Sequence, residues 1–131
     1  MLKPGEARTV TIVAGERSNT TGIQIAAGQT YRFEATGGWK DWFKDCGPEG
    51  YASTGWMFYL WPFQRWRRIP NARWFALIGE IGGDPASHFV IGAGCELTAR
   101  HLGELTCFAN DLSSRYGNNR GEVTLTVTRI A

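Results

Sequence analysis

The chain has 131 residues, 43% of them hydrophobic and 20% charged, with a formal net charge of +2. That is the length of one domain with a real core, and the composition is that of an ordinary soluble globular protein. So small a charge gives no reason to expect a nucleic-acid or membrane-surface partner. The longest apolar run, 56–63, is too short to span a bilayer.

Glycine is abundant at 17 residues and aromatics reach 13%. Many glycines among regularly spaced β-formers favour an all-β fold. Arg8 to Val13 reads as the first strand, and Thr21 to Ile25 as the second after a polar turn. Thr30 to Ala35 alternates, with Tyr31, Phe33 and Ala35 on the buried parity. Gly37-Gly38-Trp39 is read as the end of that strand. Lys40 to Tyr51 then reads as a long loop, with Gly47-Pro48 and Glu49-Gly50 as turn dipeptides. Asp41, Asp45 and Glu49 form a small acidic group there, with extra cation ligands as one reading and a solvated loop face as the plainer one.

The segment 55–75 mixes Trp56, Trp61, Trp66 and Trp74 with Arg65, Arg67, Arg68 and Arg73. Aromatic faces of this kind stack on sugar rings or on bases, but packing with solvated arginines is the plainer reading. Arg73 to Ile81 looks like a buried strand. Ser87 to Ile91 and Glu96 to Thr98 are shorter ones. Glu104 to Ala109 places Leu105, Cys107 and Ala109 on one parity. Glu122 to Ile130 alternates Val123, Leu125 and Val127 with Thr124, Thr126 and Thr128, the mark of a half-buried strand.

Between those last two strands lies Asn110 to Gly121. It gathers Asp111, the amides of Asn110, Asn118 and Asn119, and several backbone carbonyls, an oxygen-rich mixture suited to a hard cation such as calcium. The three cysteines, Cys46, Cys95 and Cys107, are an odd number at unrelated spacings, so neither a disulfide framework nor a CxxC metal site is indicated. Cys107 reads as a small core residue, and a Cys46–Cys95 bridge stays open. His88 and His101 are lone histidines without a ligand pattern. Ser113-Ser114 shows no nucleophile elbow. No signal-peptide h-region follows the start, so a cytoplasmic or non-classically released protein is expected.

Several short pieces stand along the chain in a definite order. They are Thr21-Gly22-Ile23, Ala27-Gly28, Ala35-Thr36-Gly37-Gly38-Trp39 and Gly47-Pro48-Glu49-Gly50, then Ile78-Gly79, Gly103-Glu104-Leu105-Thr106, Asn110-Asp111 and Tyr116-Gly117-Asn118-Asn119-x-Gly121. In this order they resemble the PA-I-like galactophilic bacterial lectins, with a poor match between about Tyr51 and Phe75. The resemblance implies one all-β domain over 1–131, an antiparallel two-sheet β-sandwich of galactose-binding-like jelly-roll type with eight or nine strands. It implies Ca2+ held by side-chain oxygens of Asp111, Asn118 and Asn119 and by the carbonyls of Arg115 and Trp42. Two vicinal sugar hydroxyls would complete the coordination shell, with Asp111 and Asn118 also accepting or donating hydrogen bonds to the sugar. Leu112 and Tyr51 complete the expected sugar contacts. The family's His-Pro-x-Gln piece is absent from 51–57, so a preference for galactosides does not carry over.

The expected function is thus a non-catalytic, calcium-dependent carbohydrate-binding domain, in a homo-oligomer such as a dimer or tetramer. One alternative is an assembly domain of the same fold that uses the Trp/Arg-rich segment 56–74 for protein contacts. Another is a hydrolase, against which stands the lack of an acid/base pair.

Overall fold

The computed structural model describes residues 1–41, 44–51, 68–69, 72–111 and 116–131, leaving aside the side chains of residues 41, 44 and 118. Nine strands form among them: β1 Ala7–Val13, β2 Asn19–Ile25, β3 Thr30–Asp41, β4 Lys44–Cys46, β5 Leu77–Ile81, β6 Asp84–Val90, β7 Gly94–Thr98, β8 Gly103–Ala109 and β9 Asn119–Arg129. The one helical piece among the described residues is a 3-10 turn, Tyr116–Asn118. One sheet runs β1-β9-β3-β4, with β7 also paired to β3. The other runs β2-β8-β5-β6. Every pairing is antiparallel. The result is an all-β two-sheet sandwich, as the resemblance implies.

The core lies where the period-two pattern puts it. Tyr31 and Phe33 of β3, Leu105 and Cys107 of β8, and Val123, Leu125 and Val127 of β9 are all buried in one cluster with Ile12, Ile23 and Ile25. Each large aliphatic or aromatic side chain so buried contributes about 1.5–3 kcal/mol of hydrophobic stabilisation. The Cys107 thiol is pushed up by burial, and none of the three cysteines is bridged.

Three local expectations fail, each for a physical reason. Gly37-Gly38-Trp39 does not end β3, which continues to Asp41 and pairs with β9 as far as Asn119. The glycines serve close approach rather than reversal. A Cβ on Gly121 (φ +87°) would sit 2.9 Å from Trp39 Cα, and one on Gly37 (φ +103°) 3.4 Å from the Glu122 carbonyl. The supposed loop 40–51 contains β4, whose Asp45 side chain reaches Lys40 across the ladder at 3.6 Å. The strand read from Arg73 begins only at Leu77, because Phe75 has φ +62° and turns the chain before it. A left-handed non-glycine residue costs about 1–3 kcal/mol and persists only where its surroundings dictate it. Here the Phe75 N–H donates to the Asn110 carbonyl at 2.7 Å, and its fully buried ring stands edge-on to Trp39 at 5.6 Å.

Gly103 illustrates how tightly the two β5–β6 and β7–β8 corners meet. Its φ is +146°, and a Cβ there would lie 2.4 Å from Gly82 Cα. Gly103→Ala is expected to destabilise the fold by about 2 kcal/mol through backbone strain and overpacking. The melting temperature in chelator should fall by roughly 8 °C, and a drop under about 2 °C would show that this corner yields freely.

Candidate functional site

The candidate site sits where β8 hands over to β9. β8 ends at Ala109, still in the core, and Asn110 and Asp111 follow it buried, at 0% and 3% exposure. The chain returns through the 3-10 turn into Asn119, which is 2% exposed and lies in register with Asp41 at the far end of β3. Tyr116 closes the two sides. Its hydroxyl donates to the Ala109 carbonyl at 2.6 Å, so the loop is pinned across its neck. Burial raises the Tyr116 pKa, with the Asp111 charge adding to the rise. Arg68 and the Asp111 backbone N–H oppose it. The phenol therefore remains protonated at neutral pH and able to donate.

The three amides of the loop have different fates. Asn110 is committed to main chain. Its Oδ1 accepts from the Ile69 N–H at 2.9 Å, and its Nδ2 is shared among the carbonyls of Ile69, Ala72 and Arg73 at 2.9–3.3 Å. It is a strut and leaves the cation-binding set. Asn119 donates through Nδ2 to the Ala14 carbonyl at 3.3 Å, while its Oδ1 is buried with no hydrogen-bond partner. An acceptor left so costs about 1–3 kcal/mol. The Asn118 side chain lies outside the described residues, as do Trp42, Leu112 and Arg115. No group of three or more His, Cys, Asp or Glu gathers among the described residues. Among the described residues the loop offers a cation the Asp111 carboxylate and the Asn119 amide oxygen. Hard oxygen donors of this kind suit calcium better than zinc or copper.

Tyr51 is placed differently from its expected role. It is 7% exposed within the main core cluster, and its backbone bridges to Trp74 with a 2.8 Å hydrogen bond. It has little surface to offer a sugar. Beside the loop an open groove passes over Gly38 and Gly121, walled by Lys40, Asp45 and Arg120. Arg120 is fixed there by Nη1, which donates to the carbonyls of Gly117 and Asn119 at 2.9 and 2.8 Å.

Two features escape a reading of the chain. Arg68 stands in the segment taken for solvated arginines, yet its guanidinium lies 3.4 Å above the Phe108 ring and reaches the Tyr116 hydroxyl. His88 is not alone, for its Nε2 meets Glu80 at 2.5 Å across β5–β6, with Phe108 edge-on at 5.5 Å. The helpful signal for Arg68 would have been an arginine facing an outward aromatic, Phe108, on a strand of otherwise inward apolar parity. That pairing is visible only once the register is known.

No protein-family model matches the chain, and no curated protein matches it. Among solved structures it is similar to the EclA N-terminal domain, a PllA-like lectin. The TM-score is 0.68 at 20% sequence identity, over 92% of this chain and 94% of that one. At that identity the likeness establishes a lectin-like β-sandwich fold and leaves membership of the PA-I-like family unassigned.

Proposed function

We propose that this protein is a non-catalytic carbohydrate-binding domain whose sugar anchor is a calcium ion held by the β8–β9 loop. One observation carries the reading: the Oδ1 of Asn119 is a buried acceptor without a hydrogen-bond partner, on the same pinned loop as the buried carboxylate of Asp111. A hard cation would satisfy that acceptor and offset the cost of burying the charge. Asn118 and the carbonyls of Trp42 and Arg115 are the further ligands this reading requires. Calcium takes six to eight oxygens, so five from the protein leave room for two vicinal hydroxyls of a sugar. Asp111 then also offers a charge-assisted acceptor to one of them. The groove over Gly38 gives neighbouring sugar residues a surface on which to lie. The lectin named among the solved structures adds a fold in which sugar binding is at home.

Which sugar is bound is left to experiment, since Tyr51 is buried and no His-Pro-x-Gln piece stands near it. A glycan array with millimolar calcium, repeated in chelator, tests the proposal. Binding that appears with calcium and vanishes with chelator is expected. Binding indifferent to chelator, or none to any glycan, would remove the reading. Thermal melts provide a second check. At a hundredfold excess over Kd, calcium should add about 2.7 kcal/mol to stability, and superimposable melting curves would argue against any specific site.

A further inference from the structure

The outer face of the β2-β8-β5-β6 sheet carries an arrangement that the calcium reading does not use. Phe108 points outward from β8 and is covered by Arg68, whose guanidinium carbon lies 3.4 Å from the ring centroid. The same residue touches both sides of the β8–β9 loop. Its backbone N–H donates to the Asp111 carbonyl at 3.0 Å. Its Nη1 donates to the Tyr116 hydroxyl at 3.1 Å and to the Arg17 carbonyl at 2.6 Å. Tyr116 in turn donates to the Ala109 carbonyl.

We propose that Arg68 is the positioning residue of the cation loop: by gripping Asp111 and Tyr116 together it sets the separation of the two sides that must share one ion. This rests on the calcium reading above. The argument is geometric. Asp111 and Asn119 come from opposite sides of a loop, and a cation binds them tightly only if their spacing is fixed before it arrives. Tyr116 alone ties the second side to Ala109. Arg68 adds a main-chain tie to Asp111, which any residue there would keep. Its guanidinium fastens Tyr116 to the β1–β2 turn at the Arg17 carbonyl, and this is the part that the side-chain variants remove. A planar guanidinium can stack on Phe108 while directing its N–H groups in the ring plane at two oxygens, and an ammonium cannot do both. Residues that orient metal ligands from outside the coordination shell typically change metal affinity by about 10–100-fold.

An opposite effect is also available to Arg68, which makes the test decisive. Its positive charge near the loop, acting alone, would repel calcium. Calorimetric calcium titration of the full chain should therefore compare the wild type with R68K, R68M, Y116F and the R68K/Y116F pair. Melts in chelator should be run on each. The expected result is calcium affinity about tenfold weaker in each single variant. The pair should be little weaker than either single variant, because both changes cut the same link.

Variants that melt lower in chelator but keep the wild-type calcium affinity would overturn the proposal, leaving Arg68 as packing over Phe108. Tighter calcium in R68M would overturn it too, by showing that charge repulsion dominates. A wild type that binds no calcium would fail the calcium reading itself and this inference with it. That outcome is recognised in the first titration, before any variant is compared.

Discussion

Asp111→Asn is expected to remove most of the stabilisation that calcium confers. The side chain is 3% exposed, so its charge is held in a poorly solvated place. The variant puts a neutral amide in that place. In calcium it replaces the loop's carboxylate with a neutral oxygen, and a hard cation binds neutral oxygens more weakly. If calcium affinity falls a hundredfold, a concentration that gave the wild type about 2.7 kcal/mol gives the variant about 0.4 kcal/mol. Sugar affinity should fall further than calcium affinity, because the charge-assisted acceptor for a hydroxyl is lost as well. Melts with and without calcium measure the first effect, and calorimetry with a glycan found on the array measures the second. An unchanged glycan affinity in the variant at saturating calcium would exclude sugar binding through the ion.

That Asp111 and Asn119 can be named at all follows from how the strands beside them are written. From Glu122 onward β9 alternates, and its Val123, Leu125 and Val127 are buried as the pattern demands. Strand patterns of this kind are local, so the sheet pairs and the loop between β8 and β9 can be read from the chain. The failures share a different property. Gly37-Gly38 has the composition of a turn, but what places it inside β3 is the approach of Gly121 on β9, more than eighty residues away in the chain. Phe75 carries no sign of a left-handed backbone, since the cause lies in Asn110 and Trp39. Arg68 looks like any arginine in a basic aromatic segment until the register turns Phe108 outward beneath it. Local preference and long-range contact disagree at each of these places, and two of them, Arg68 and Phe75, adjoin the candidate site. Such disagreement is where strain and special positioning are expected to gather.

Asn110→Ala should separate the loop's strut from its ligands, and it is expected to be the most destabilising single change near the site. In composition Asn110 is indistinguishable from Asn118 and Asn119, but its side chain is fully buried and bonded to the main chain at Ile69, Ala72 and Arg73. Truncation leaves the Ile69 N–H without its acceptor and takes one donor from each of three carbonyls around a small void, although those of Ile69 and Arg73 keep a main-chain partner. Each such buried group costs about 1–3 kcal/mol when nothing replaces the bond. With water entering the void, a net loss of about 3 kcal/mol is expected, or roughly 10 °C in melting temperature.

The loss should appear equally in calcium and in chelator, unlike that of Asp111→Asn, because the side chain holds the fold and not the ion. Phe75 should also feel it. The Phe75 N–H donates to the Asn110 carbonyl, while the Arg73 carbonyl just before it accepts from the Asn110 side chain. Releasing Arg73 loosens one side of a strained residue. Asn110→Asp makes the sharper test. It keeps the size and the acceptor for Ile69 but turns a charged oxygen toward three carbonyls, so it should be worse than alanine despite the closer shape. An aspartate variant as stable as wild type would mean that this side chain is not the strut its hydrogen bonds describe.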